Sequence, residues 1–164
     1  MHIRNASTVD IPLIRELTMQ VWPQTYTPIV GETQVSYMLS RFYNPEALST
    51  QMDESGHRFI IGYYDGQPVA FASYSGIEPG IYKLHKLYII LQMQGNGIGR
   101  SMIAHIVNEI KSSKALALRL NVNRYNTSAM AFYAKTGFKH FAEEDIDIGN
   151  GYFMNDYVLS LDIE

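Results

Sequence analysis

The chain has 164 residues, with 13 Lys and Arg against 16 Asp and Glu, a net charge of −3 and no cysteine. That length suits one domain, residues 1–164, able to bury about 70% of its unfolded surface without disulfides. The missing cysteines exclude a thiol nucleophile, a CxxC redox pair and a thiolate zinc site, and the acidic balance without a basic stripe argues against nucleic acid as the main partner.

Hydrophobic content of 46% with 12 tyrosines excludes disorder. Met1 to Val9 is polar and no apolar run approaches the roughly 18 residues a membrane helix needs, so we expect a soluble, cytoplasmic protein with no membrane partner.

His2 to Arg4 reads as a short strand. Ser7 to Asp10 opens a helix, with Ile11, Ile14, Leu17 and Val21 at helical spacing. The stretch Val21 to Pro28 holds Pro23 and Pro28 and is expected to break that helix into a loop presenting Trp22 and Tyr26. A second helix is expected over about Thr33 to Tyr43, and Asn44-Pro45 ends it and caps a third to about Met52. Arg58 to Tyr64, Asp65-Gly66 and Pro68 to Ser75 spell a β-hairpin, because Asp-Gly between β-branched and aromatic runs favours a two-residue turn. Glu78-Pro79-Gly80 leads into a central strand, Ile81 to Ile89. A helix from Ile98 to about Ile110, a strand from Ala115 to Val122, and a helix capped by Asn126 or Thr127 and ended by Gly137 follow. Phe138 to Ala142 and Phe153 to Leu161 close the chain as strands joined by an acidic loop, Glu143 to Asn150. This order predicts a mixed α/β (α+β) sheet flanked by helices.

The stretch from Lys83 to Arg100 passes from apolar strand through a glycine-rich turn into a helix. Glycines at 95, 97 and 99 remove Cβ atoms that would hold a ligand off the backbone, and the helix start adds a positive end: an anion-binding site. Arg100 stands where the dinucleotide fingerprint needs glycine, and no Gly-Lys-Ser/Thr follows to make a P-loop.

What remains is Gln94-x-x-Gly97-x-Gly99, followed downstream by a strand ending at Val122-Asn123 and then Asn126-x-x-Ala129-x-x-Phe132-Tyr133-x-x-x-Gly137-Phe138. In this order the two motifs resemble the GNAT superfamily of acyl-coenzyme A N-acyltransferases, and Ile3-Arg4-x-Ala6 with Asp10-Ile11 also fits. The resemblance is tight from about Ile81 to Phe138 and looser before that, and the chain also resembles small bacterial members that act on spermidine-like amines.

It implies a GNAT fold, a mostly antiparallel twisted sheet splayed at its central strand pair, with the pantetheine arm of acetyl-coenzyme A entering as a pseudo-strand. Leu87, Tyr88 and Ile89 would offer main-chain bonds, with the N–H of Tyr88 or Ile89 polarising the thioester. The pyrophosphate would lie on the N–H groups of Gln94, Gly95, Asn96, Gly97, Ile98, Gly99 and Arg100. Asn126 would bond pantetheine or order the sulfur end, Lys135 would reach the 3′-phosphate, and Tyr133 would be the general acid for the departing thiolate. No metal is implied.

Direct attack requires a neutral amine, and an aliphatic amine of pKa near 10.4 is only about one part in 2,500 neutral at pH 7, a cost of about 4.6 kcal/mol. His85 on the central strand is the candidate base; a water relay through Glu32, Glu78 or a backbone carbonyl is the alternative. Trp22, Tyr26, Tyr37 and Tyr152, with Phe153 and Tyr157, are candidate acceptor contacts. A small-molecule amine or polyamine is favoured as acceptor, ahead of a protein or peptide substrate and of a non-catalytic acetyl-coenzyme A sensor. Assembly as a homodimer is left open.

Overall fold

The computed structural model describes residues 1–164. In chain order the elements are β1 (His2–Asn5), α1 (Ile11–Val30), α2 (Glu32–Phe42), α3 (Pro45–Asp53), β2 (Arg58–Tyr64), β3 (Gln67–Glu78), β4 (Ile81–Ile89), α4 (Ile98–Lys111), β5 (Ala117–Asn123), α5 (Thr127–Lys135), β6 (Lys139–Gly149) and β7 (Tyr152–Asp162). The strands hydrogen bond in the order β1-β2-β3-β4-β5-β7-β6, an open sheet of seven strands. Contacts gather into two compact units, Met1–Ser75 with Lys86–His105, and Gly76–His85 with Ile106–Glu164.

In the first unit β1 pairs antiparallel with β2 and β2 with β3, the Asp65-Gly66 turn taking positive φ at both residues as an Asp-Gly hairpin requires. Bidentate hydrogen bonds from Arg4 to Asp10 (2.7 and 3.0 Å) tie β1 to the 3₁₀ turn Thr8–Asp10, and hold the Asp10 carboxyl below its usual range. Ile14, Leu48, Ile60, Ile61, Phe71 and Met102 are fully buried in its core. At Gly62 an added Cβ would stand 2.9 Å from Met102 Sδ and 3.0 Å from Met1 Cε, so those two side chains would have to shift to admit it.

The expected break at Pro23 is not found: α1 runs through both prolines to Val30. Val21 and Trp22 are 3% and 4% exposed, and burying them rewards continued helix against the roughly 3 kcal/mol an internal proline costs.

In the second unit β4 pairs parallel with β5, from Ile81↔Ala117 to Leu84↔Leu120, while β5–β7 and β6–β7 are antiparallel. Ile106, Ile110, Leu118 and Leu120 are buried. The acidic stretch is a strand rather than a loop: β6 extends to Gly149, and Asn150 (φ 54°) and Gly151 (φ 79°) make the two-residue turn into β7. Glu143, Glu144, Asp145 and Asp147 are exposed there on an edge strand, where charge discourages pairing with other chains.

Candidate active site

After β4, a 3₁₀ turn at Leu91–Met93 drops the chain into the glycine stretch. Gly95 (φ 85°) and Gly97 (φ 76°) occupy the left-handed region that side chains resist, and nothing lies within 4 Å of where a Cβ would stand on either. The backbone there is open to a ligand. Gln94 Nε2 donates to the Ile89 carbonyl at 3.3 Å and Asn96 Nδ2 to the Met93 carbonyl at 3.1 Å, so two side chains brace the turn from within. In α4 the Ser101 N–H donates to the Gly97 carbonyl (3.0 Å), which leaves the N–H groups of the preceding first turn without an intrahelical acceptor. Those donors and the positive helix end fit an anion such as a pyrophosphate.

The parallel β4–β5 ladder ends at Leu84↔Leu120, and Asn121, Val122 and Asn123 take their partners from β7 alone. Leu87, Tyr88 and Ile89, all half-buried, lie past that end on β4. The Ile90 N–H donates to Val69 of β3 (3.0 Å); strand alternation therefore turns the Ile89 N–H away from β3.

Side chains from α1, α2, β3 and β4 meet in an aromatic cluster. Trp22 lies 4.4 Å from Tyr26, 5.3 Å from Tyr43 and 5.9 Å from Tyr88, centroid to centroid, and Phe71 lies 5.5 Å from Tyr88. Lys86 places its ammonium 4.9 Å from the centre of the Tyr43 ring. Two expected acceptor contacts, Trp22 and Tyr26, are thus together with Tyr88. Tyr43 and Lys86 are additions that sequence reasoning missed. Period-two alternation puts Lys86 on the Tyr88 face of β4 and His85 on the other, a signal that could have found it. Burial pushes the Tyr88 and Tyr43 hydroxyls above the usual phenol range and the Lys86 ammonium down to about 8. The Trp22 indole N–H is buried beside Tyr43. Tyr37 is half-buried on α2.

In the second unit, Asn126 caps α5 as expected, its Oδ1 accepting from Ala129 N–H at 3.3 Å. Tyr133 is half-buried, its ring 5.2 Å from Phe132 and 5.5 Å edge-on to Phe138, and its carbonyl accepts the Phe138 N–H (3.1 Å) as α5 closes around Gly137 (φ 102°). That packing explains the Phe-Tyr…Gly-Phe spacing, since the two phenylalanines orient the tyrosine. Lys135 is exposed, His85 half-buried, and Tyr152 half-buried at the start of β7. Asp156 of β7, not anticipated from sequence, is 4% exposed; Asn121 Nδ2 donates to its Oδ2 at 3.3 Å, its Oδ1 has no partner, and burial raises its pKa. No group of side chains is arranged to hold a metal.

Comparison with known proteins shows the family of the chain. An acetyltransferase (GNAT) domain model matches residues 26–159. The chain is 26% identical over 158 residues to a spermidine N(1)-acetyltransferase from Thermoplasma acidophilum, covering 94% of this chain and 95% of that one. It is 34% identical over 87 residues to the peptidyl-lysine N-acetyltransferase YjaB of Escherichia coli, about half of each chain (52% and 52%). The solved structure of the PaiA N-acetyltransferase from T. acidophilum, in complex with coenzyme A, superposes with a TM-score of 0.83 at 24% identity over 98% of both chains. The chain belongs to the GNAT acetyltransferase family. It is an acyl-coenzyme A-dependent N-acetyltransferase whose donor is acetyl-coenzyme A, and the sensor alternative gives way to an enzyme.

Proposed function

We propose that the acceptor is the primary amine of a small molecule, with polyamines favoured. The observation that carries this reading is the cluster of Trp22, Tyr26, Tyr43 and Tyr88, whose ring faces suit an alkylammonium or its neutral amine. Likeness over nearly the full length to a spermidine acetyltransferase supports it.

The roles follow from the chain's own groups. The turn Gln94–Arg100 holds the donor's pyrophosphate through backbone N–H groups. The Ile89 N–H, with Leu87 alongside, hydrogen bonds the thioester carbonyl and takes up charge as the tetrahedral centre forms. Asn126 bonds the pantetheine arm and Lys135 the 3′-phosphate. Tyr133 gives a proton to the departing thiolate. With cysteine's pKa of about 8.5 as a proxy for that thiol, transfer from a phenol near 10 is uphill by about 2 kcal/mol, so the hydrogen bond tightens before the proton moves.

The test is a thiol-release assay with acetyl-coenzyme A over a panel of alkylamines, diamines, polyamines and lysine peptides. Turnover of polyamines or short alkylamines at kcat/KM at least tenfold above the peptides supports this reading. Preference for the peptides would favour the second reading, a peptidyl-lysine acetyltransferase, which the E. coli likeness motivates.

A further inference from the structure

Lys86 stands out in the ring cluster as a cation with no counter-charge. It forms none of the chain's ion pairs, and its ammonium lies against the face of Tyr43, which ends α2. Tyr88 rises from the same face of its own strand, and Tyr43 and Tyr88 both pack on Trp22 of α1. Arg15 and Glu16 of α1 line a hollow beside Tyr43, where Arg15 Nε donates to the Tyr43 carbonyl at 3.0 Å, and no carboxylate is paired to the lysine. An ammonium so placed has lost hydration without gaining an anion; the Tyr43 ring face returns only part of that loss by cation–π attraction, so burial favours the neutral amine, and its side chain keeps a partial opening to solvent. Along the strand Lys86 precedes Tyr88 by about 7 Å, and both side chains rise from the same face.

We propose that Lys86 is the base that deprotonates the acceptor, within the ring cluster assigned above to acceptor binding; the inference rests on that assignment. The neutral Lys86 amine takes a proton from the acceptor's ammonium. The freed lone pair attacks the thioester carbonyl carbon and the C–N bond forms; the nitrogen then gives up its second proton as the C–S bond breaks, and that proton replaces the one Tyr133 hands to the departing thiolate. Lys86 then returns its proton to solvent. The depressed pKa of about 8 leaves a usable neutral fraction at physiological pH, in the range suited to a catalytic lysine. His85 points from the opposite face of β4 and is not needed for this step.

The discriminating experiment compares two acceptors in Lys86→Met and Lys86→Arg: an alkylamine that is protonated at pH 7, and 2,2,2-trifluoroethylamine, which is already neutral and needs no base. We expect both variants to lose about 100-fold or more in kcat with the alkylamine and to stay within a few-fold with trifluoroethylamine. Wild-type kcat with the alkylamine should fall on the acid side with an apparent pKa near 8, and His85→Gln should keep that limb. Equal losses with both amines, or rescue by Lys86→Arg, would overturn the proposal, because a structural or charge-positioning role predicts those results. The thermal shift caused by acetyl-coenzyme A reports separately that each variant is folded and binds donor. If wild type binds the donor but acetylates neither amine, the acceptor assignment itself fails, and the base with it.

Discussion

The glycine turn and the ring cluster around Lys86 both offer hydrogen-bond donors to a ligand, and they are built in opposite ways. The turn is made of backbone: Gly95 and Gly97 in the left-handed region, open space above them, and the first N–H groups of α4. Its chemistry lies within a few consecutive residues. The cluster is made of side chains delivered by α1, α2, β3 and β4, and it has no local spelling. On the roles proposed, the backbone site grips the phosphates that all acyl donors share, and the side-chain site can be altered residue by residue without disturbing that grip. Constant donor binding with a variable acceptor follows from this division.

The comparison can be broken first at the chemistry. Removing only the hydroxyl, in Tyr133→Phe, should lower kcat by about 100-fold or more while donor affinity stays within a factor of two, since the ring still packs on Phe132 and Phe138. Steady-state kinetics with donor titration checks this, and wild-type turnover would remove Tyr133 from the mechanism. At the turn, Gly97→Val puts a β-branched residue at φ 76°, costing about 1–3 kcal/mol in strain, so donor affinity should drop by about 10- to 100-fold. Acceptor KM at saturating donor should hold steady. A loss of acceptor affinity of the same size would show that turn and cluster are not separable.

Stability gives a smaller effect. Lys86 has its pKa lowered to about 8, so below pH 8 folded and unfolded chains both hold the proton and the desolvation cost is fully felt. Between pH 8 and about 10.5 the unfolded chain binds a proton that the folded chain does not, and wild type gains stability as pH rises. Lys86→Met should therefore be the more stable protein at pH 7, by about 1–3 kcal/mol, with the gap closing towards pH 10.5. Denaturant melts across pH test this; a gap independent of pH would mean that Lys86 does not titrate in that range.

Asp156 should show the least change. Its raised pKa makes the carboxylate a cost above the folded pKa and no cost below the ordinary value near 3.8. Asp156→Asn should accordingly be the more stable protein at pH 7, a gain that disappears as pH falls below the ordinary carboxylate range; denaturant melts across pH check this.

Much of this was legible in the sequence where a local rule governs. The central strand runs from Ile81 to Ile89 as its apolar pattern indicates, Asn126 caps its helix, and the Asp65-Gly66 hairpin forms. What sequence reading missed depends on distant partners. Pro23 and Pro28 signal a break locally, yet burial of Val21 and Trp22 carries α1 through them. The charges from Glu143 to Asp147 resemble a solvated loop until β7 is there to pair with them. Lys86 looks like an ordinary polar position in a strand, and only the arrival of Tyr43, more than forty residues earlier in the chain, makes its surroundings apolar.

The central claim is that this chain holds acetyl-coenzyme A through the glycine turn, and a melting experiment tests it most directly. Acetyl-coenzyme A at about 100 times its Kd should stabilise the wild-type protein by about 2.7 kcal/mol, or about 5–11 °C in Tm for a chain of this size. Gly97→Val should show little shift at the same concentration. A wild-type Tm that does not move, or a Gly97→Val shift as large as wild type, would contradict the account.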